Sequence, residues 1–261
     1  MKQESRNEAR TASVIRRRDL LGLIAVAAAA PLVSRMRDRF AIGGPTTEIH
    51  NFVPAAIVSG PSCVVRPQQT EGPYFADEKL DRSDIRSDPT DGSVKTGAKL
   101  QLIFGVSRMA GLACAPLSGA IVDVWQCDAM GVYSDFEDIN GLFDTRGKKF
   151  LRGYQVTDKA GKAEFVTIYP GWYPGRTVHI HFKIRTNSVA SRGHEFTSQL
   201  YFDESITDQV HALPPYVTKG RRTRKNNRDG IFQSGGDQLM LQLTKRADGY
   251  VGTFDIGLQL A

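Results

Sequence analysis

Residues Thr167 to Lys183 read TIYPGWYPGRTVHIHFK. Within this stretch Val178-His179-Ile180-His181-Phe182 alternates apolar and polar residues, the period of a β-strand. A period of two puts His179 and His181 on one face, with Val178, Ile180 and Phe182 on the other. Two imidazoles on one strand face can converge on a metal ion. The pair alone does not choose among zinc, copper and iron, and two hydrogen-bonded histidines would also account for it. Upstream, Tyr169-Pro170-Gly171-Trp172-Tyr173-Pro174-Gly175 is turn chemistry, able to fold Tyr173 and Arg176 back over the strand.

Strand patterns recur on both sides. Lys99–Val106, Ala120–Gln126, Phe150–Val156, Lys162–Thr167, Val178–Ile184, Phe196–Phe202, Leu239–Leu243 and Gly249–Leu260 all read as strands. Asp158-Lys159-Ala160-Gly161 reads as a hairpin turn between the third and fourth. One segment, Asp203 to His211, is helical in character and stops before Pro214-Pro215. Short strands separated by turn residues predict an all-β protein, a β-sandwich of mixed or antiparallel strands with long loops.

The chain divides into three parts. In residues 1–39, Arg16-Arg17-Arg18-Asp19-Leu20-Leu21 precedes the apolar run Gly22 to Ala30, the pattern of an export signal of twin-arginine type, or of an anchor if uncleaved. This predicts the twin-arginine (Tat) export machinery as a partner and a periplasmic or extracellular location. Residues 40–60 read as a linker or extended arm, and residues 61–261 as one catalytic-size domain. The leader holds nine Lys/Arg and four Asp/Glu, so it carries five of the six net positive charges. The remainder is close to neutral, and the overall pI of 9.3 gives no reason to expect nucleic-acid binding. Six of the ten residues Lys219 to Arg228 are basic, read as a solvated loop or as a patch attracting acidic aromatics. No aromatics interleave them. The three cysteines predict one disulfide and one free thiol, with a preference for a bridge involving Cys63 over one joining Cys114 to Cys127.

The stretch resembles the active-site segment of the intradiol ring-cleavage dioxygenases, non-haem Fe(III) enzymes that open catechols between the two hydroxyls. Tyr173-Pro174, Arg176 and His179-Ile180-His181 match the family's signature. A Trp-bearing strand and Gly-x-Tyr turn, Val122 to Ser134, supply Tyr133. Thr70-Glu71-Gly72-Pro73-Tyr74-Phe75 and Gln199-Leu200-Tyr201-Phe202 are similar to two further family segments. The short exported branch of the family is the nearest in form.

The resemblance implies Fe(III) held by Tyr133, Tyr173, His179 and His181, with long active-site loops around it. It implies that Tyr173 also acts as the base toward a catechol substrate, that Arg176 stabilises developing negative charge, and that Gln199 helps to position the reacting oxygen. Gly72, Pro73, Tyr74 and Gly175 would line the substrate site. The implied reaction joins a catechol-type aromatic and O2 into a cis,cis-muconate-type diacid, in aromatic-compound catabolism, by a protein that could be a homo-oligomer. Two departures are visible. Only Pro174 and Gly175 separate Tyr173 from Arg176, where many members have a longer loop, and the N-terminal helical segment that dimerises the catechol-cleaving branch has no counterpart. The short connection predicts a pocket tolerant of bulky 4-substituents. The alternative expectation is a secreted β-sandwich binding module whose His-x-His holds structural zinc or copper. A zinc hydrolase is weaker, because no third histidine or carboxylate lies near the pair in sequence.

Overall fold

In the computed structural model β1 (Lys99–Ala110) buries Leu100, Leu102, Phe104 and Val106, every second residue, as its sequence alternation requires. The residues described are 64–111, 113–138, 141–186 and 193–260. All lie in one compact unit, Ala56–Ala261. The expected leader, most of the arm, and Cys63 lie outside them. Among the described residues no helix is long and apolar enough to cross a membrane.

Two sheets face each other. β2 (Ala113–Pro116) and β5 (Lys162–Ile168) both pair antiparallel with one edge of β1, β5 along Lys99–Gly105 and β2 along Ser107–Ala110. The other edge of β1 pairs in parallel with β9 (Gly249–Gln259), which pairs antiparallel with β8 (Gln242–Arg246). The second sheet is antiparallel in the order β4 (Arg152–Val156), β3 (Ile121–Trp125), β6 (His179–Arg185), β7 (Glu195–Tyr201). Phe104 and Phe254 from the first sheet meet Phe182 from the second at ring-centroid distances of 5.3 and 5.4 Å, which joins the two layers. The sandwich of mixed and antiparallel strands is the expected fold.

Two expectations need correction. The Asp158–Gly161 turn forms, with the Asp158 carboxylate accepting the Ala160 and Lys162 N–H groups at 2.8 Å each. It is not a hairpin within one sheet, however, because β4 pairs with β3 and β5 with β1. Local turn chemistry fixes the reversal but not the partners. The strand expected at Leu239–Leu243 begins later, at Gln242. Before it, Gly236–Leu239 forms a 3-10 turn, and the Leu241 N–H donates to Tyr201 O at 2.8 Å, docking the chain on the end of β7.

The expected helix is α1 (Glu204–His211), capped by the Asp203 side chain, which accepts from the Ser205 and Ile206 N–H groups. Cys114 is disulfide-bonded and Cys127 is a free, buried thiol.

Candidate active site

β6 is buried on both faces. Ile180, Phe182 and Ile184 belong to the sandwich core, while His179, His181 and Lys183 point out of the other side of the sheet. Loops cover that outer side. Residues 64–75 run along β7, with Gln69 N–H donating to Thr197 O at 3.0 Å and Ser198 Oγ to Pro67 O at 2.8 Å. The loop after β3 supplies a second apolar cluster around the site, in which Tyr74, Trp125, Cys127 and Tyr133 pack together.

Tyr133 is placed by a turn built on Asp128, whose carboxylate accepts the Met130 and Val132 N–H groups at 2.9 and 3.0 Å. Tyr173 comes from the loop between β5 and β6. The two loops touch backbone to backbone at two glycines. A Cβ on Gly131 would stand 2.2 Å from Trp172 O, and one on Gly171 would stand 2.3 Å from Ala129 O, so neither position accommodates a side chain. The two tyrosine rings meet edge to face at 5.8 Å, and Tyr74 stacks on Tyr133 at 4.4 Å.

The polar atoms converge. Tyr173 Oη lies 3.1 Å from His179 Nε2, which lies 3.0 Å from His181 Nε2. His179 Nδ1 donates to Thr177 O at 2.7 Å, leaving a lone pair on Nε2 that faces the cluster. Tyr133 Oη is fully buried without a hydrogen-bond partner of good geometry. A buried hydroxyl left so costs about 1–3 kcal/mol unless something else engages it. Trp125 stacks on the His181 ring at 5.1 Å and fixes its plane. Burial first, and then the neighbouring cationic Arg176, holds His179 well below its ordinary pKa. Burial, His179 and Arg176 do the same to His181, so both rings are neutral and ready to act as ligands. Burial also raises Tyr133 and Tyr173, so phenolates here need a strong local cation.

This donor set fits a metal ion. Bonds of about 2.0–2.1 Å to imidazole nitrogen put two neighbouring ligands roughly 3 Å apart, which is the observed separation of the two Nε2 atoms. Two of the four converging donors are phenols, hard oxygen ligands when ionised. Among the described residues no cluster of three His, Cys, Asp or Glu side chains occurs, the set a zinc site of the usual kind would need.

Arg176 stands beside the cluster. Its Nε donates to Asp229 at 2.9 Å, its Nη2 donates to Gln199 Oε1 at 2.6 Å, and Nη1 lies 3.5 Å from His179 Nε2. Burial opposes its charge, but Tyr173 and Asp229 outweigh that and raise its pKa. A cavity of about 400 Å³ opens on the two tyrosines, with Tyr74, Phe143, Pro174 and Lys219 among its walls.

Residues 70–259 match the family model Dioxygenase_C, described as dioxygenase. An intradiol ring-cleavage dioxygenase from Tetranychus urticae superposes with a TM-score of 0.65 at 32% identity, over 76% of this chain and 95% of that one. The dioxygenase domain of a carbohydrate-binding fusion protein from Streptomyces sp. SirexAA-E superposes at 0.52 with 30% identity, over 76% of this chain and 100% of that one. The protocatechuate 3,4-dioxygenase beta chain of Burkholderia cepacia is 32% identical over 139 residues, 50% of this chain and 56% of that one.

The chain belongs to the intradiol ring-cleavage dioxygenase family. It spans about half the length of the curated relatives it matches.

As a member of that family, the chain brings Tyr133, Tyr173, His179, His181, Arg176 and Gln199 into one cluster, although they are spread over 67 positions of sequence. Of the expected substrate-site residues, Gly72 lies against His181, since a Cβ there would stand 3.1 Å from the ring. Tyr74 forms a wall of the cavity. Pro73 is exposed in the adjoining turn. Gly175, at φ +89, has nothing within 4 Å of where a Cβ would stand, and Pro174 rather than Gly175 lines the cavity. Gln199 Oε1 accepts from Arg176 and from Tyr201, and its Nε2 donates to Thr70 O, so it holds the arginine in place.

The sequence reading missed Arg152. It is buried, its Nε and Nη2 hold Ser134 Oγ and O at 2.7 and 2.5 Å, and Nη1 reaches Tyr74 O. One guanidinium thus ties the Tyr133 loop to the Tyr74 loop, and burial lowers its pKa to about 10. No local sequence signal marks an arginine on an outer strand as this tie. The basic Lys219–Arg228 segment is also only partly solvated. The Arg222 side chain is 5% exposed and pairs with Glu204 and Asp208, and Asn226 is buried with Nδ2 donating to Phe202 O at 3.0 Å.

Proposed function

We propose that this protein is an Fe(III)-dependent dioxygenase that cleaves catechols between their hydroxyls with O2, giving cis,cis-muconate-type diacids. The observation that carries the reading is the convergence of Tyr173 Oη and His181 Nε2 on His179 Nε2, at 3.1 and 3.0 Å, beside the buried hydroxyl of Tyr133, which has no hydrogen-bond partner of good geometry. Tyr133, Tyr173, His179 and His181 would hold the iron. A ferric ion held there would supply a Lewis-acidic centre for a catecholate.

The chain's own residues set up the rest. Tyr173 borders both the cavity and His179, so its oxygen is placed to take the proton that the catechol loses on binding. Arg176 keeps a full positive charge in a buried setting beside the cluster, where it can stabilise negative charge developing on the substrate. Gln199 fixes that guanidinium from the opposite side. Gly72 lets the 64–75 loop close over His181, and Tyr74 with Phe143 excludes water from the apolar wall.

The cavity is larger than a single ring requires. An apolar cavity of about 150 Å³ accommodates benzene, and this one is about 400 Å³. That room supports tolerance of catechols with an extended 4-substituent. The Arg16–Ala30 segment supports export by the twin-arginine machinery, which would place the reaction outside the cytoplasm.

The test is O2 uptake and product identification with catechol and with a 4-substituted catechol carrying an extended side chain. Stoichiometric O2 consumption with a muconate-type diacid is the expected result. Cleavage outside the two hydroxyls, or no consumption by iron-loaded protein, would contradict the reading.

A further inference from the structure

Asp229 follows the short 3-10 turn Asn226–Arg228, 48 residues beyond His181, and only 1% of it is exposed. Each of its carboxylate oxygens accepts two hydrogen bonds. Oδ2 accepts from Arg176 Nε at 2.9 Å and from the Thr177 N–H at 2.7 Å. Oδ1 accepts from the Ile231 and Phe232 N–H groups at 2.9 and 3.1 Å. Thr177 stands just before β6, and its carbonyl, in the next peptide unit, accepts the His179 Nδ1 proton at 2.7 Å. Thr177 is pinned a second time, because its hydroxyl donates to Asn226 Oδ1 at 2.6 Å.

The result is one buried anion fixed in its own loop by two backbone donors, with its other oxygen gripping two groups of the site. On Arg176 it takes Nε, while Gln199 takes Nη2, and this leaves Nη1 aimed at the His179 side of the cluster. A guanidinium held at two of its three nitrogens has one orientation. On Thr177 the carboxylate holds the N–H of the residue whose carbonyl, one peptide further on, sets the tautomer and ring direction of His179. Partners of this outer kind commonly decide how well a ligand histidine is presented.

We propose that Asp229 is the positioning residue of this site, orienting both the charge-stabilising Arg176 and, through Thr177, the imidazole of His179. The inference rests on the functional reading above for its catalytic consequence, but not for its effect on metal retention.

Asp229→Asn is the informative substitution. Every neighbour of the carboxylate is a donor, so the amide nitrogen must face donors on one side or the other. The experiment is a double-mutant cycle with Arg176→Gln, read as kcat and KM for catechol on iron-loaded protein, together with the rate of iron loss to a chelator. Asp229→Asn is expected to lower kcat by about 10- to 100-fold, with KM changed much less. In the Arg176→Gln background its further cost to kcat should fall below about threefold, because its effect on turnover acts through that arginine, while its effect on His179 is read by the rate of iron loss. Iron loss to the chelator should be faster in Asp229→Asn than in wild type.

An equal loss of kcat in both backgrounds would overturn the proposal, because Asp229 would then affect turnover independently of Arg176. Iron loss at the wild-type rate would overturn it as well. Wild-type protein that binds iron but turns over no catechol would break the functional reading instead, and the chelator comparison would still test Asp229. Should the Asn variant not fold, Asp229→Glu keeps the charge, displaces it by one methylene, and goes through the same cycle.

Discussion

The two faces of β6 are equally buried and are buried in opposite ways. Ile180, Phe182 and Ile184 meet the regular strands of the opposing sheet, with Phe182 touching both Phe104 and Phe254. His179, His181 and Lys183 meet loops, an arginine and two tyrosines. An apolar face is satisfied by any well-packed partner, so regular strands suffice. A polar face must have each atom engaged, which needs irregular chain able to deliver particular donors and acceptors to particular points. The outer loops therefore do for the imidazoles what the opposing sheet does for Phe182. Among the described residues they leave Tyr133 Oη without a hydrogen-bond partner of good geometry, as they do Trp125 Nε1 and His181 Nδ1, and of these the phenol oxygen is the one that borders the cavity and could serve as a ligand beside the two Nε2 atoms.

The comparison can be broken most severely on the outer face. His179→Ala or His181→Ala should remove iron and turnover together while the fold persists, as measured by metal content beside circular dichroism. Either variant with full iron and activity would separate the pair from the metal. On the inner face Phe182→Ala should do the reverse, costing about 3–5 kcal/mol of stability while leaving iron stoichiometry unchanged in the protein that remains folded. Denaturant titration measures this, and a loss below about 1 kcal/mol would mean the two layers are not joined there.

A finer division concerns Arg176 on the outer face. Arg176→Ala should retain iron and lose about 10²- to 10³-fold in kcat, the usual cost of removing one preorganised electrostatic partner. Near-wild-type turnover would leave it an ordinary ion pair with Asp229. Smaller still is a pH effect on metal-free protein. Burial depresses the folded-state pKa of His179 and His181, so below about pH 6.5 the unfolded chain takes up protons that the folded one refuses. The neutral-histidine packing is fully stable above that pH, and stability falls as pH drops through and below it. His211, lowered first by burial, adds a slope of the same sign. Urea midpoints between pH 8 and pH 5 should therefore fall in wild type and fall less in His181→Gln. Parallel curves for the two proteins would remove the site histidines from the effect.

The inner face was legible in the sequence because its signal is periodic. The alternation at Val178–Phe182 and along β1 appears directly as buried and outward residues. Pairing was less legible. The Asp158–Gly161 turn is written locally, but whether its arms share a sheet depends on β1 and β3, which lie elsewhere in the chain. The parallel pairing of β1 with β9 joins strands about 150 residues apart with no local mark. On the site face the histidine pair was legible from the same alternation, whereas Tyr133, Tyr173 and Arg176 were read as site residues through family resemblance. Arg152 and Asp229 were not, because a buried ion that acts through backbone atoms of distant loops looks in sequence like any surface charge.

The most direct test of the ferric bis-tyrosine, bis-histidine site is the visible spectrum of purified protein alongside its metal content. Phenolate bound to Fe(III) produces a broad charge-transfer band, so the protein should be red-brown with one iron per chain, and Tyr133→Phe should weaken and shift that band. A colourless protein carrying zinc, or an iron protein whose spectrum is unchanged in Tyr133→Phe, would contradict the account.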